Sequence, residues 1–393
     1  MSAVSQSATQ SKANLKSLPE RAKQIAEIAN AHAEYADSEG RLADAVVEAL
    51  HANQMFGMWV PRSVKGGSEL DPIASLETIA NVAYGDPSTA WVMMAAGLAV
   101  GTGAAYLEDE AVEELFGGER SPVIAGQGTR PGKAVRYKDG FKLSGSWSFA
   151  SGIKHSTHIH TLGIIEETGE PRIFVLPVGE AKLIDNWDVM GLRGTGSIDY
   201  TTDNVYVPEA YTHFAVTETP KRGGGLYRVG IIGFAAMCHS GWALGIGRRL
   251  LDEMAKAVRE RGGVKGPQGG SATFQEAYAR AEATYRSARA LVLESWSDAW
   301  EALEQNEPLS VRQQTLIRLG MTQVTAASHQ VSQFVYQAAG TNGLRASTIQ
   351  RLFRDMHAGT QHVIASPPVW QAIGRELAGL AEEQRWQFLN LVD

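Results

Sequence analysis

The chain has 393 residues and a mass of 42.4 kDa, roughly two to three times the usual size of one domain, so more than one packed unit is expected. With 44% apolar and 20% charged residues it has an ordinary globular composition, and its net charge of −7, from 36 basic and 43 acidic residues, gives no electrostatic footprint for nucleic acid or an anionic membrane. A single cysteine, Cys238, excludes an internal disulfide framework and any multi-cysteine metal or iron–sulfur site, and favours a reducing, cytoplasmic setting.

The first twenty residues lack the apolar core of a signal peptide, so no export is expected. From Leu18 to Gly118 the spacing is helical, with Leu42, Ala45, Val46, Ala49 and Leu50 gathered into one apolar stripe. Gly66-Gly67 breaks this region, and Asp86-Pro87-Ser88 supplies the start of an uncharged helix. Pro87 to Leu107 and Val229 to Gly247 carry no Lys, Arg, Asp or Glu and approach the ~20 residues that cross a bilayer. Their Gly, Ala, Ser and Thr content, without long Leu/Ile/Phe runs or one-sided basic flanks, reads instead as buried central helices.

From Ser121 to Val216 short runs of Val, Ile, Thr, Tyr and Phe alternate with turn signals, which predicts strands. Lys138-Asp139-Gly140 marks a hairpin between Val135/Tyr137 and Phe141/Leu143, and Glu167-Thr168-Gly169-Glu170 marks a second. Ile198 to Pro208 reads as a last long strand stopped by proline. After Gly223-Gly224-Gly225 the helical period returns to the C-terminus, broken near Gly262–Gly270, Asn306–Pro308, Gly340–Gly343 and Pro367–Pro368, which predicts four long helices and a shorter last one. The fold class is therefore α+β: an N-terminal helical domain (1–120), a middle β domain (121–220) and a C-terminal four-helix-bundle domain (221–393).

Several familiar sites are near misses. Gly191-Leu192-Arg193-Gly194-Thr195-Gly196-Ser197 has the wrong glycine spacing for a dinucleotide turn and precedes a strand instead of opening a helix. Arg130-Pro131-Gly132-Lys133-Ala134 lacks the Ser/Thr that holds magnesium in a P-loop, and no G-x-S-x-G elbow is present. His155, His158 and His160 lie close together, but without a matching carboxylate or cysteine they read as polar strand histidines, and no metal is assigned.

Four segments in order resemble one family, the flavin-dependent monooxygenases of the acyl-CoA dehydrogenase fold. They are Gly85-Asp86-Pro87-Ser88-Thr89-Ala90-Trp91, Ser144 through Ser151-Gly152 with His155 following, Trp187 through Ser197, and Gln350 through His362. The resemblance spans nearly the whole chain and implies an acyl-CoA dehydrogenase-like fold with a β-barrel or sandwich in the middle. It also implies the oxygenase component of a two-component aromatic hydroxylase, a homotetramer. Such a protein takes reduced FMN, with FAD as the alternative, from a separate NAD(P)H:flavin reductase. With O2 it forms a C4a-hydroperoxyflavin that hydroxylates a phenolic or indolic small molecule. An N- or S-oxidising monooxygenase and an acyl-CoA dehydrogenase are the alternatives within the fold, and a non-catalytic binding scaffold is a third class. A dehydrogenase needs a carboxylate base, which the family draws from the segment after the Arg-Asp pair or from the opening of the first bundle helix. Here no Asp or Glu occurs between Asp355 and Glu376 or between Glu218 and Asp252. The Arg-x-x-Phe-Gly segment that holds the adenine half of FAD is replaced by Arg259-Glu260-Arg261-Gly262-Gly263-Val264, which favours FMN.

The resemblance places the Ser151 hydroxyl at flavin N5, where a hydrogen bond hinders loss of peroxide; alone it would read as a strand-end serine binding its own backbone. His362 follows Asp355 by seven residues, so on a continuous helix the two share a face, and it is assigned as the catalytic base, whereas His357 faces elsewhere. Arg354 and Asp355 read as a structural ion-pair network. Trp91, Phe149 and Trp187 are assigned to the walls around the flavin or an aromatic substrate, with simple core packing as the alternative. Gln127, Thr195 and Ser197 occupy loops that face the flavin in the family.

Overall fold

The computed structural model describes residues 16–393, without the side chains of residues 127 and 129. The N-terminal part holds α1 (Leu18–Ala31), α2 (Ala33–Glu39), α3 (Asp44–Ala52), α4 (Pro72–Gly85), α5 (Pro87–Tyr106) and α6 (Asp109–Phe116). The expected start at Asp86 works locally, its side chain accepting from Thr89 N–H at 2.7 Å to cap α5, and Asp71, which the sequence reading did not single out, accepts from Ala74 N–H to cap α4; each is followed by proline at the first helical position. In the stripe around α3, Leu42, Val46 and Leu50 are buried but Ala45 is exposed, because Leu42 precedes the helix and shifts the phase.

The sheet is built from β1 (Ile124–Tyr137), β2 (Gly140–Trp147), β3 (His158–Ile165), β4 (Pro171–Pro177), β5 (Lys182–Ile184), β6 (Asp199–Pro208) and β7 (Thr212–Phe214), in the spatial order β5-β6-β2-β1-β3-β4-β7. Both expected hairpins form, β1 with β2 closing at Tyr137↔Gly140 and β3 with β4 closing at Ile164↔Pro171. β1 and β3 run parallel, with a register shift between Gln127 and Gly132 that bends the strand. β6 is not the last strand, since β7 adds to β4 beyond the proline. Inside the sheet, Trp147 stacks on Tyr200 at 5.3 Å and Phe141 meets Phe174 edge-on at 5.5 Å.

The C-terminal part holds α7 (Gly230–Glu260), α8 (Ala272–Glu304), α9 (Val311–Ala339), α10 (Thr348–Gly359) and α11 (Pro367–Leu377). The helices are three long and two short, not four long and one short, because the Gly340–Leu344 turn and the Ser347 cap open a separate twelve-residue helix. A small hairpin, β8 (Arg385–Gln387) with β9 (Asn390–Val392), closes the described chain and was not expected; its Trp386 packs under Arg318. α5 and the helical stretch containing α7 are long and apolar enough to cross a membrane, yet 89% and 83% of their apolar windows are buried inside the protein. They are interior helices, and one apolar core joins them to α1–α4 and to the bundle. Gly245 makes this possible where α7 crosses α4: a Cβ there would lie 2.3 Å from Ala80 O. The site described next lies where α5, α7, α10 and the sheet loops converge.

Candidate active site

After β2 the chain turns through Ala150–Gly152, and this turn is bound to the loop before β6 by Ala150 N–H to Ile198 O (3.1 Å) and Gly152 N–H to Thr195 O (2.9 Å). The two loops bring three buried hydroxyls into a row. Ser151 Oγ lies 2.7 Å from Ser197 Oγ, and Ser197 Oγ lies 2.7 Å from Thr195 Oγ1. At one end Thr195 donates to Leu192 O at 2.7 Å, and at the other Trp91 of α5 donates its indole N–H to Ser151 Oγ at 3.1 Å.

The face of Trp91 beside Ser151 continues into two imidazoles. His239 of α7 and His362 lie with ring centroids 4.2 Å apart and tilted by 38°, and the Trp91 ring meets both edge-on, at 5.0 Å and 5.8 Å. Trp242, one turn along α7 from His239, closes the cluster against Trp91 at 5.1 Å and donates to Pro87 O. Burial draws the pKa of His362 down to about 4, and burial together with the neighbouring His362 holds His239 well below the usual imidazole range. Both rings are therefore neutral near pH 7. His362 Nδ1 takes a long hydrogen bond from Ile364 N–H at 3.4 Å, which leaves Nε2 as the nitrogen turned toward a ligand.

His362 and Asp355 do not share a helix face. α10 ends at Gly359, and His362 caps the short turn Val363–Ala365 with β-region backbone. Gly359 ends the helix against Trp242, where a Cβ would come within 2.2 Å of the indole. His357 does face elsewhere, its Nε2 lying 3.1 Å from His329 Nε2 on α9. Arg354 does not pair with Asp355: its guanidinium grips Asp37 of α2 through two bonds, of 3.0 Å and 2.7 Å, and also donates to Met190 O. Asp355 instead points into the protein, accepting from Leu192 N–H at 2.6 Å through Oδ1, while Oδ2 has no hydrogen-bond partner. Burial and the nearby Asp86 raise its pKa to about 7. At this junction Gly191 presses so closely that a Cβ would lie 2.1 Å from Arg354 O, and α10 thereby holds the loop that carries Thr195 and Ser197.

The aromatic residues divide. Trp91 is buried in the cluster, Trp187 is half-buried and donates to Leu192 O at 3.2 Å, and Phe149 is 65% exposed, edge-on to Trp187 at 6.2 Å. Phe149 also holds a left-handed backbone, φ 66°, unusual for a bulky side chain. An exposed, strained Phe beside a half-exposed Trp and a serine oxygen offers flat apolar faces and one polar atom, which fits the ring of a flavin. Gln127 lies on β1 opposite Thr161, and its side chain is outside the described part. Of the three histidines read as strand residues, His158 and His160 lie on β3, where His158 bonds Thr157 and His160 is buried and held at a pKa of about 4 by burial and His213; His155 instead ends the short turn Ile153–His155, its pKa likewise about 4 through burial and its Nε2 unpartnered. No group of three or more His, Cys, Asp or Glu side chains comes together for a metal among the described residues.

His239 is the residue that sequence reasoning missed. It lies in the uncharged stretch from Val229 to Gly247, whose apolarity masks it, and a lone histidine within that stretch is the available signal.

A helical, then β, then helical chain whose sheet loops meet an interior helix pair at a polar row and an imidazole pair defines an acyl-CoA dehydrogenase-like enzyme. Residues 237–367 match the family model described as acyl-CoA dehydrogenase, C-terminal domain. The chain is 31% identical over 353 residues to an indole-3-acetate monooxygenase of Pseudomonas putida, covering 87% of this chain and 89% of that protein. It is 26% identical over 345 residues to the flavin-dependent monooxygenase oxygenase subunit HsaA of Mycobacterium tuberculosis, covering 83% and 86%. Among solved structures, the 3-HSA hydroxylase from Rhodococcus sp. RHA1 superposes with a TM-score of 0.86 at 21% identity, covering 93% of this chain and 97% of that one. The chain belongs to the flavin-dependent monooxygenases of the acyl-CoA dehydrogenase fold.

Proposed function

We propose that the protein is the oxygenase component of a two-component system that takes reduced FMN from a separate NAD(P)H:flavin reductase and inserts one oxygen atom into an indolic or phenolic small molecule. The observation that carries this is the meeting of His239 and His362. His239 lies on the first bundle helix and His362 after the Arg354-Asp355 pair, the two segments from which the family resemblance draws a dehydrogenase's carboxylate base. With a neutral imidazole at each, no carboxylate on either segment is available to remove an α-proton from a thioester. A bound reduced flavin supplies the two electrons that split dioxygen, one atom entering the substrate and the other leaving as water.

The protein's own groups then have distinct tasks. Ser151 would hold the flavin near N5, Phe149 and Trp187 would flank its ring, and Thr195, Ser197 and Gln127 would complete the surrounding polar groups. His362 would be the base that takes the proton of a bound phenol and so raises its carbon nucleophilicity. Trp91, Trp242 and His239 hold that imidazole and keep water from it. FMN is favoured over FAD by the Arg259–Val264 segment, which lacks the adenine-binding pattern. An indole is favoured among substrates by the 31% identical relative. The same reading carries a cytoplasmic homotetramer with domain limits near residues 120 and 220.

The test is to mix the protein anaerobically with photoreduced FMN, add oxygenated buffer with indole-3-acetate or a panel of phenols, and analyse the products. A hydroxylated or ring-oxidised product supports the proposal. Peroxide alone with every aromatic, together with bleaching of bound flavin by an acyl-CoA thioester, would replace it with a dehydrogenase.

A further inference from the structure

The row of hydroxyls beside Ser151 has a direction. Leu192 O can only accept, so the single hydroxyl hydrogen of Thr195 is committed to it at 2.7 Å. Thr195 must then accept from Ser197, and Ser197, its hydrogen spent, must accept from Ser151. Ser151 in turn has no hydrogen left, and the indole N–H of Trp91 fills one of its two lone pairs. The carbonyl at the far end thus sets Ser151 Oγ as an acceptor with one lone pair to offer. All three hydroxyls are nearly inaccessible, at 8%, 3% and 2% exposure for Ser151, Ser197 and Thr195, so water does not readily rescue a reversed order.

From this order we infer that Thr195 and Ser197 are positioning residues that hold Ser151 Oγ as a hydrogen-bond acceptor toward flavin N5, so that the site selects reduced over oxidised flavin. The inference rests on the flavin reading above. Reduced flavin carries a hydrogen on N5 and donates it to such an oxygen, whereas oxidised flavin presents a lone pair at N5 that the same oxygen repels. A carrier that receives reduced flavin and releases oxidised flavin needs this discrimination, and here it comes from the order of hydrogens along four side chains.

Equilibrium titrations with photoreduced FMN under anaerobic conditions and with oxidised FMN in air give a ratio of two dissociation constants, independent of turnover. The wild-type protein is expected to favour reduced FMN. Ser197→Ala removes the acceptor for Ser151, and Thr195→Val frees Ser197 to donate back to it; either lets Ser151 turn its hydrogen toward N5. Each variant is expected to lower the ratio roughly three- to tenfold, the effect of one hydrogen bond, mainly by tightening oxidised FMN. Thr195→Ser keeps the oxygen and is expected to keep the ratio. Loss of affinity for both forms in equal measure, in variants whose thermal midpoints show them folded, overturns the inference and leaves the flavin reading intact. Failure of the wild-type protein to bind FMN in either form overturns both.

Discussion

His239 and His362 lie ring against ring, 4.2 Å between centroids, with Trp91 edge-on to both. One comes from the middle of an interior helix and the other from a turn after α10, so their contact exists only in the folded chain. Replacing His362 with Ala is expected to leave reduced FMN binding within about twofold, since the imidazole reaches Ser151 only through the edge of Trp91, which His239 and Trp242 also hold. Product formed per flavin oxidised should fall about 10²-fold, the lower end of what a general base contributes, with peroxide rising in its place. Product and peroxide quantified side by side check this. Unchanged coupling would remove His362 from the reaction.

Stability should rise with pH between about 4 and 6.5. His155, His160, His213 and His362 all have folded pKa values near 4, chiefly through burial. The unfolded chain, with imidazoles near 6.5, binds protons that the folded one refuses. Their contribution is fully present above pH 6.5 and is lost as pH falls toward 4, at about 1.4 kcal/mol per histidine per pH unit at most. Asp355 works the other way: raised to about 7, its carboxyl keeps a proton that the unfolded chain has released, so its contribution is lost as pH rises from about 4 through 7. Four histidines outweigh it. Thermal midpoints measured from pH 4 to 8 should climb and then level off, and a flat profile would mean that these rings are charged or exposed in the native protein.

Asp355 also permits a finer test. Asp355→Asn keeps an oxygen for Leu192 N–H and removes a buried titrating group, so the variant should fold and its stability should rise more steeply between pH 4 and 7 than the wild type's. Asp355→Ala leaves that N–H without its partner in the interior, at a cost of about 1–3 kcal/mol. Denaturant unfolding at pH 8 separates the two, and equal losses for Asn and Ala would show that the Leu192 contact contributes nothing.

Phe149 combines 65% exposure with a positive φ, a conformation that costs an L-residue roughly 1–2 kcal/mol. Such strain at a site signals a task for the side chain. Phe149→Gly should leave the thermal midpoint unchanged or raised, because glycine adopts that backbone freely, while weakening FMN binding several-fold. A drop in stability with intact flavin affinity would make Phe149 a packing residue.

The order of elements was legible because its signals are local. Asp86-Pro87 starts α5, Lys138-Asp139-Gly140 turns the first hairpin, and Ser151, Thr195 and Ser197 stand in recognisable segments that the fold gathers into one row. What escaped was set by tertiary contact. The helix through Asp355 looked continuous to His362, but Gly359 must meet the Trp242 indole and the chain leaves the helix there. Arg354 finds Asp37 from a distant helix instead of its neighbour, and His239 acquires meaning only once α7 and the turn at His362 lie side by side.

The central claim is that these residues direct oxygen transfer and not dehydrogenation, and one turnover in isotopically heavy dioxygen tests it. Protein, photoreduced FMN and indole-3-acetate or a phenol are mixed with the labelled gas, and the product is weighed by mass spectrometry. The account predicts a product heavier by one labelled oxygen atom, in a yield that falls in His362→Ala. Label found only in peroxide for every aromatic offered, in wild type and variant alike, would contradict it.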